Sequence, residues 1–125
     1  MIAEIEGRLV GKGPAELVVA VGGLGLRMLI PLSTFRAVGQ PGEDVRLFTH
    51  LHVREDALDL FGFATRAERS IFQALISVSG VGPKLGLAVL SGLSPEVFHG
   101  AVVGEDVALL TSISGIGRKT AQRLI

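Results

Sequence analysis

The spacing of apolar and polar positions changes character once along this chain, close to residue 63. Before that point it has a period of two. Ala3, Ile5 and Leu9 alternate with Glu4, Glu6 and Arg8, and Leu17–Val21 is a short apolar run. Leu24, Leu26, Met28 and Ile30 alternate cleanly up to Pro31. Val45, Leu47, Thr49, Leu51 and Val53 oppose Arg46, Phe48, His50 and His52. A last run extends from Ala57 to Phe63. Successive side chains of a strand point to opposite faces, so this alternation predicts half-buried strands. Gly11–Pro14, Gly22–Gly23, Gly39–Gly42 and Arg54-Glu55-Asp56 punctuate them. Ser33 and Thr34 are candidate caps for one short helical turn. Five or six short strands with turns between them predict a small, closed or partly closed barrel of the OB-fold type over residues 1–63.

From residue 64 the period lengthens to that of helices. Thr65-Arg66-Ala67-Glu68 reads as a capping box, and Ile71, Phe72, Leu75 and Ile76 mark one helical face. A second helix is predicted from Pro83 to about Ser91. A third starts at Ser94-Pro95-Glu96, with serine as N-cap and proline in the first turn. Gly104 separates it from a piece over Val107–Thr111, and a last helix begins at Gly117. The fold class is therefore α+β, with a barrel over residues 1–63 and an all-α domain over residues 64–125.

Between these helices one stretch occurs twice. Ser77-Val78-Ser79-Gly80-Val81-Gly82-Pro83-Lys84 reappears 35 positions later as Ser112-Ile113-Ser114-Gly115-Ile116-Gly117-Arg118-Lys119. Both serines, both glycines and the lysine are kept. Glycine accepts positive φ and lets another backbone approach closely. A helix starting immediately afterwards presents free N–H groups to an anion, and the lysine adds a cation beside them. The repeated pattern resembles the paired helix-hairpin-helix module. That resemblance implies sequence-independent DNA binding across the minor groove, through backbone amides and basic side chains. Gly80, Gly82, Lys84, Gly115, Gly117, Arg118 and Lys119 are the candidate DNA-binding residues. Arg123 joins them, one turn beyond Lys119 on the same helix face.

Charge alters this picture only slightly. The 125 residues carry 12 basic and 12 acidic side chains, so the net charge is zero. Residues 1–63 hold six Lys/Arg against eight Asp/Glu, and residues 64–125 hold six against four. The half with the repeated turns is the more basic one. Cysteine is absent, which excludes disulfides and thiolate metal sites. Hydrophobic content of 48% argues against disorder. No uncharged run approaches the ~18–20 residues that span a bilayer, so no membrane partner is expected. Glu4 and Glu6 stand where a secretory signal would need basic and then apolar residues, which leaves the cytoplasm as the default location.

Other constellations carry less. Glu55 and Asp56 occupy a hairpin tip, where a solvated turn is the plain reading. A metal-dependent nuclease would need more carboxylates converging there, and only Asp59 on the next strand could approach. His50 and His52 share a strand face but lack a third ligand, so no metal and no cofactor is called. There is no Walker A loop, and Gly80-x-Gly82 does not follow a strand as a dinucleotide site requires. No catalytic residues are assigned. Phe61 and Phe63 have core-like spacing, which favours packing over a platform for stacked bases.

Taken together, Val21-Gly22-Gly23-Leu24-Gly25, Phe48-Thr49-His50, Val53-Arg54-Glu55-Asp56-Ala57, Leu60-Phe61-Gly62-Phe63 and Gly80-Val81-Gly82-Pro83-Lys84 resemble the RuvA family of bacterial Holliday-junction-binding proteins. The resemblance runs from Met1 to Ile125. It implies an OB-fold, two helix-hairpin-helix motifs, and a four-fold homotetramer, with an octamer as the alternative. It implies four-way junction DNA as ligand and a non-catalytic role beside the RuvB ATPase, with the RuvC resolvase as a further candidate partner. Glu55 and Asp56 match the family's acidic pin at the centre of the tetramer, with Arg54 beside it. The family's third domain, which contacts RuvB, is expected to be absent from this chain. The rival from another class is the DNA-binding portion of a repair nuclease or glycosylase using the same hairpin.

Overall fold

The computed structural model describes all residues, Met1 to Ile125. The chain divides into two compact units, Met1–Arg69 and Ser70–Ile125.

In the first unit five strands close a barrel: β1 (Glu4–Lys12), β2 (Glu16–Val21), β3 (Leu24–Leu29), β4 (Asp44–Val53) and β5 (Leu58–Phe63). Around the barrel their order is β1-β2-β3-β5-β4, with β4 returning to pair with β1. A short helix, α1 (Leu32–Ala37), lies between β3 and β4 in sequence. This is an OB-fold. All pairings are antiparallel except the seam where Leu29 of β3 meets Phe61 of β5. The register slips between Leu9 and Gly11, leaving Val10 as an extra residue that is 45% exposed. Such a bulge bends a strand sharply, as a small barrel requires.

Alternation fixes which side chains fill the interior. Ile5, Leu9, Leu17, Val19, Met28, Ile30 and Leu47 form one buried cluster. Truncating Leu47 to alanine should remove about 2–5 kcal/mol, because a packed interior closes only partly over the gap. At Gly62 the wall leaves little room for a side chain: a Cβ would stand 3.1 Å from Met28 Sδ and 3.4 Å from Met28 Cβ, so the buried methionine would have to shift. Phe61 and Phe63 are almost fully buried, so they pack rather than stack on a ligand.

Ser33 and Thr34 do not cap α1; its N-cap is Pro31, with no side-chain bond. Their hydroxyls are used elsewhere. Ser33 donates to the Glu68 carboxylate at 2.5 Å, and Thr34 accepts from the Ala64 N–H at 3.1 Å. Arg69 donates to the carbonyl of Ala3 at 2.7 Å. These bonds explain why the first unit runs past residue 63 into the first turn of α2 (Arg66–Ile76).

The second unit holds the rest of α2 with α3 (Pro83–Gly92), α4 (Pro95–Val103), α5 (Val107–Thr111) and α6 (Arg118–Leu124). Its core is Leu75, Val81, Val89, Ala101, Leu110, Ile113, Ile116 and Ala121. The 35-residue repeat is visible within it, since Leu75 matches Leu110 and Val81 matches Ile116. Gly86 corresponds to Ala121, and a Cβ at Gly86 would meet the Phe72 ring at 3.1 Å. Between α4 and α5 the residue in the left-handed region is Glu105 (φ 53), not the neighbouring Gly104. Glu105 N–H reaches the Val102 carbonyl and Asp106 N–H the Ala101 carbonyl, which satisfies the end of α4.

Candidate nucleic-acid interface

Each of the two hairpins is built by the same backbone bonds. Val81 N–H donates to the Val78 carbonyl at 3.0 Å, and Ile116 N–H to the Ile113 carbonyl at 3.1 Å. Gly80 and Gly115 occupy the third position of these turns with φ of 88° and 95°. A positive φ there is what a type II turn requires and what a side chain resists. Val81 and Ile116 then drop into the core at 5% exposure each, pinning both bends to the protein.

Gly82 and Gly117 behave differently. They are the N-caps of α3 and α6, with φ of −92° and −86°. Any residue can adopt that conformation, and a Cβ on either would meet nothing within 4 Å. Nothing inside the folded chain asks for glycine at these two positions. A side chain there would stand in open space in front of the bend.

Those amides are open. The first helix bond of α3 is Gly86 N–H to the Gly82 carbonyl at 3.0 Å, and that of α6 is Ala121 N–H to the Gly117 carbonyl at 2.9 Å. The N–H groups before them lie outside the helix ladder. The other three helices of this region cover theirs with side chains. Thr65 accepts from Glu68 N–H, Ser94 from Val97 N–H and Asp106 from Leu109 N–H. Glycine at an N-cap forgoes only a few tenths of a kcal/mol, because water solvates the free amides. Leaving them bare is therefore cheap in the unliganded protein.

Lys84, Arg118 and Lys119 are exposed at these helix starts, and none of them forms a salt bridge. Arg123 is exposed too, but its Nη1 donates to the Ser79 carbonyl of the first hairpin at 3.2 Å. The second hairpin packs on the first motif in turn: a Cβ on Gly115 would lie 3.0 Å from Leu85 Cδ1. The two hairpins thus stand beside each other, with their cations outward. The side-chain cap at Asp106 and the Arg123 contact escaped the sequence reading. Only the Asp106 cap had a signal, an aspartate before an apolar run.

In the first unit the tip joining β4 to β5 is closed by Arg54 N–H on the Ala57 carbonyl at 2.8 Å. Glu55 and Asp56 occupy the tip and are exposed. Val53 and Leu58 flank it with 65% and 70% exposure. The Arg54 guanidinium pairs with Asp59 at 3.1 Å. Asp59 is thereby held on an arginine rather than joining the two tip carboxylates, which removes the nearest partner a nuclease metal would need. No three His, Asp or Glu side chains stand together so as to hold a metal ion. No single helix is long and apolar enough to cross a membrane.

Residues 1–62 match the RuvA N terminal domain, and residues 72–125 match the SAM-like helix-hairpin-helix tandem. The chain belongs to the RuvA family. Over all 125 residues it is 55% identical to the Holliday junction branch migration complex subunit RuvA of Halorhodospira halophila, 51% to that of Methylococcus capsulatus and 50% to that of Actinobacillus pleuropneumoniae serotype 5b. The alignments take in 100% of this chain but 61%, 62% and 62% of those relatives. The chain therefore spans about three fifths of the length of the RuvA proteins it matches.

Proposed function

We propose that this chain grips four-way DNA junctions through their phosphates, without reading base sequence, as a non-catalytic subunit of a branch-migration complex. The observation that carries the proposal is the pair Gly82 and Gly117. Each has an ordinary φ and empty space where a Cβ would go. A glycine that the fold does not need is explained by a partner whose backbone must come close. Open amides, Lys84, Lys119 and Arg118 suit phosphate oxygens, which carry no sequence information.

In this reading Gly80 and Gly115 shape the bends, while Gly82 and Gly117 keep them bare. Four copies of the chain form a ring in which each holds one arm with the same surface. The four tips carrying Glu55 and Asp56 then crowd carboxylates where strands cross, repelling phosphates and disfavouring a plain duplex through the middle. Arg54, held on Asp59, stiffens the base of each tip. ATP hydrolysis is assigned to a RuvB motor in a bacterial cytoplasm, with RuvC as a further partner.

The test is a gel shift that compares a four-way junction with linear duplex of equal length. At least tenfold tighter binding to the junction is expected, a difference of about 1.4 kcal/mol. Equal affinity would defeat the proposal. Native mass with and without the junction reads the copy number.

A further inference from the structure

We infer that Arg123 is a positioning residue: it clasps the first hairpin to the second motif, so that both hairpins meet DNA as one rigid pair. The inference deepens, and rests on, the junction-binding function proposed above. Arg123 sits on α6, which follows the second hairpin, yet its Nη1 bonds the Ser79 carbonyl 44 residues earlier in the first. The same nitrogen lies 3.1 Å from where a Cβ of Gly80 would be, so the guanidinium covers the inner side of that bend. Ser79 and Gly80 are exposed and the bend has no other long-range bond, so this charge-assisted bond anchors a loop that would otherwise be held locally. The second hairpin has no matching clasp, because the position 35 residues before Arg123 is Ala88; it leans on Leu85 instead. The asymmetry makes a prediction that a simple phosphate contact does not share. An arginine fork has N–H groups to spare, so the clasp leaves others for a phosphate.

The experiment is amide exchange in the free 125-residue protein, followed by junction binding. Val81 N–H reports the first bend and Ile116 N–H, its counterpart, the second. Arg123→Ala should speed exchange at Val81 about tenfold and leave Ile116 within about twofold. Arg123→Gln, which keeps a donor but not the charge, should restore most of the protection at Val81. Junction affinity should fall more for Ala than for Gln. Unchanged Val81 exchange with an equal fall in affinity for both variants would make Arg123 a phosphate contact only and overturn the inference. Equal acceleration at both amides would mean general loosening and overturn it too. Failure of the wild-type protein to prefer junctions would sink the proposed function, while the exchange results would still decide the clasp.

Discussion

Leu85 lies against Gly115: a Cβ added to that glycine would stand 3.0 Å from the leucine Cδ1, on a backbone whose φ is 95°. Two separate reasons therefore oppose a side chain there. Gly115→Ala should destabilise by roughly 1–3 kcal/mol, from left-handed strain and crowding together. Thermal unfolding checks this, and an unchanged midpoint would contradict the turn geometry.

Gly82→Ala and Gly117→Ala should behave in the opposite way. With ordinary φ and open space, alanine should leave stability equal or raise it by about 0.4–1 kcal/mol, through lower entropy of the unfolded chain. Junction binding should weaken all the same, because the methyl takes the space into which a phosphate backbone would come. Measuring unfolding and binding on the same samples separates the two. A variant that binds normally would show that no backbone approaches there.

Lys84→Ala and Lys119→Ala should each weaken binding to any base sequence and lower the slope of log K against log salt by about one unit. Anisotropy titrations over a range of salt read the slope directly. An unchanged slope would remove that lysine from the contact surface.

Glu55→Gln with Asp56→Asn should leave folding alone, since both side chains are exposed at a tip closed by backbone. Affinity for linear duplex should rise and the preference for junctions shrink. Duplex affinity that does not move would return these carboxylates to the role of a solvated turn.

His50 gives stability a pH dependence. Burial, with His52, the N-terminal amine and Arg69 adding repulsion, pushes its pKa below the usual 6.5. The unfolded chain then binds the proton more readily than the folded one. Stability is full above pH 6.5 and declines as the pH falls through that value toward the lowered folded-state pKa. Urea unfolding between pH 7.5 and 5 should show the fall, and His50→Gln should flatten it. A wild-type curve that is already flat would exclude the effect.

Much of this architecture was legible in the residues. The alternation of Leu24, Leu26, Met28 and Ile30 and the run Val45 to Val53 correspond to β3 and β4 because one strand face must fill the barrel. The repeat of Ser77–Lys84 predicted two like bends, and Gly80 and Gly115 make them with positive φ, while Gly82 and Gly117 have no such backbone need. What stayed hidden depends on distant partners. Ser33 and Thr34 look like caps locally, but bonds to Glu68 and Ala64 claim their hydroxyls. Gly104 does separate α4 from α5, but it is Glu105, not the glycine, that takes the left-handed conformation, which no local pattern announces. Arg123 read as one more cation on a helix face, and only the fold brings it to Ser79.

The bare openings of α3 and α6 have a consequence for working conditions. Peptide N–H groups do not titrate in any range a cell visits. The part of the hold on the phosphate rail that these amides supply should therefore stay constant from mild acid to mild alkali, even where protonation of His50 begins to cost stability.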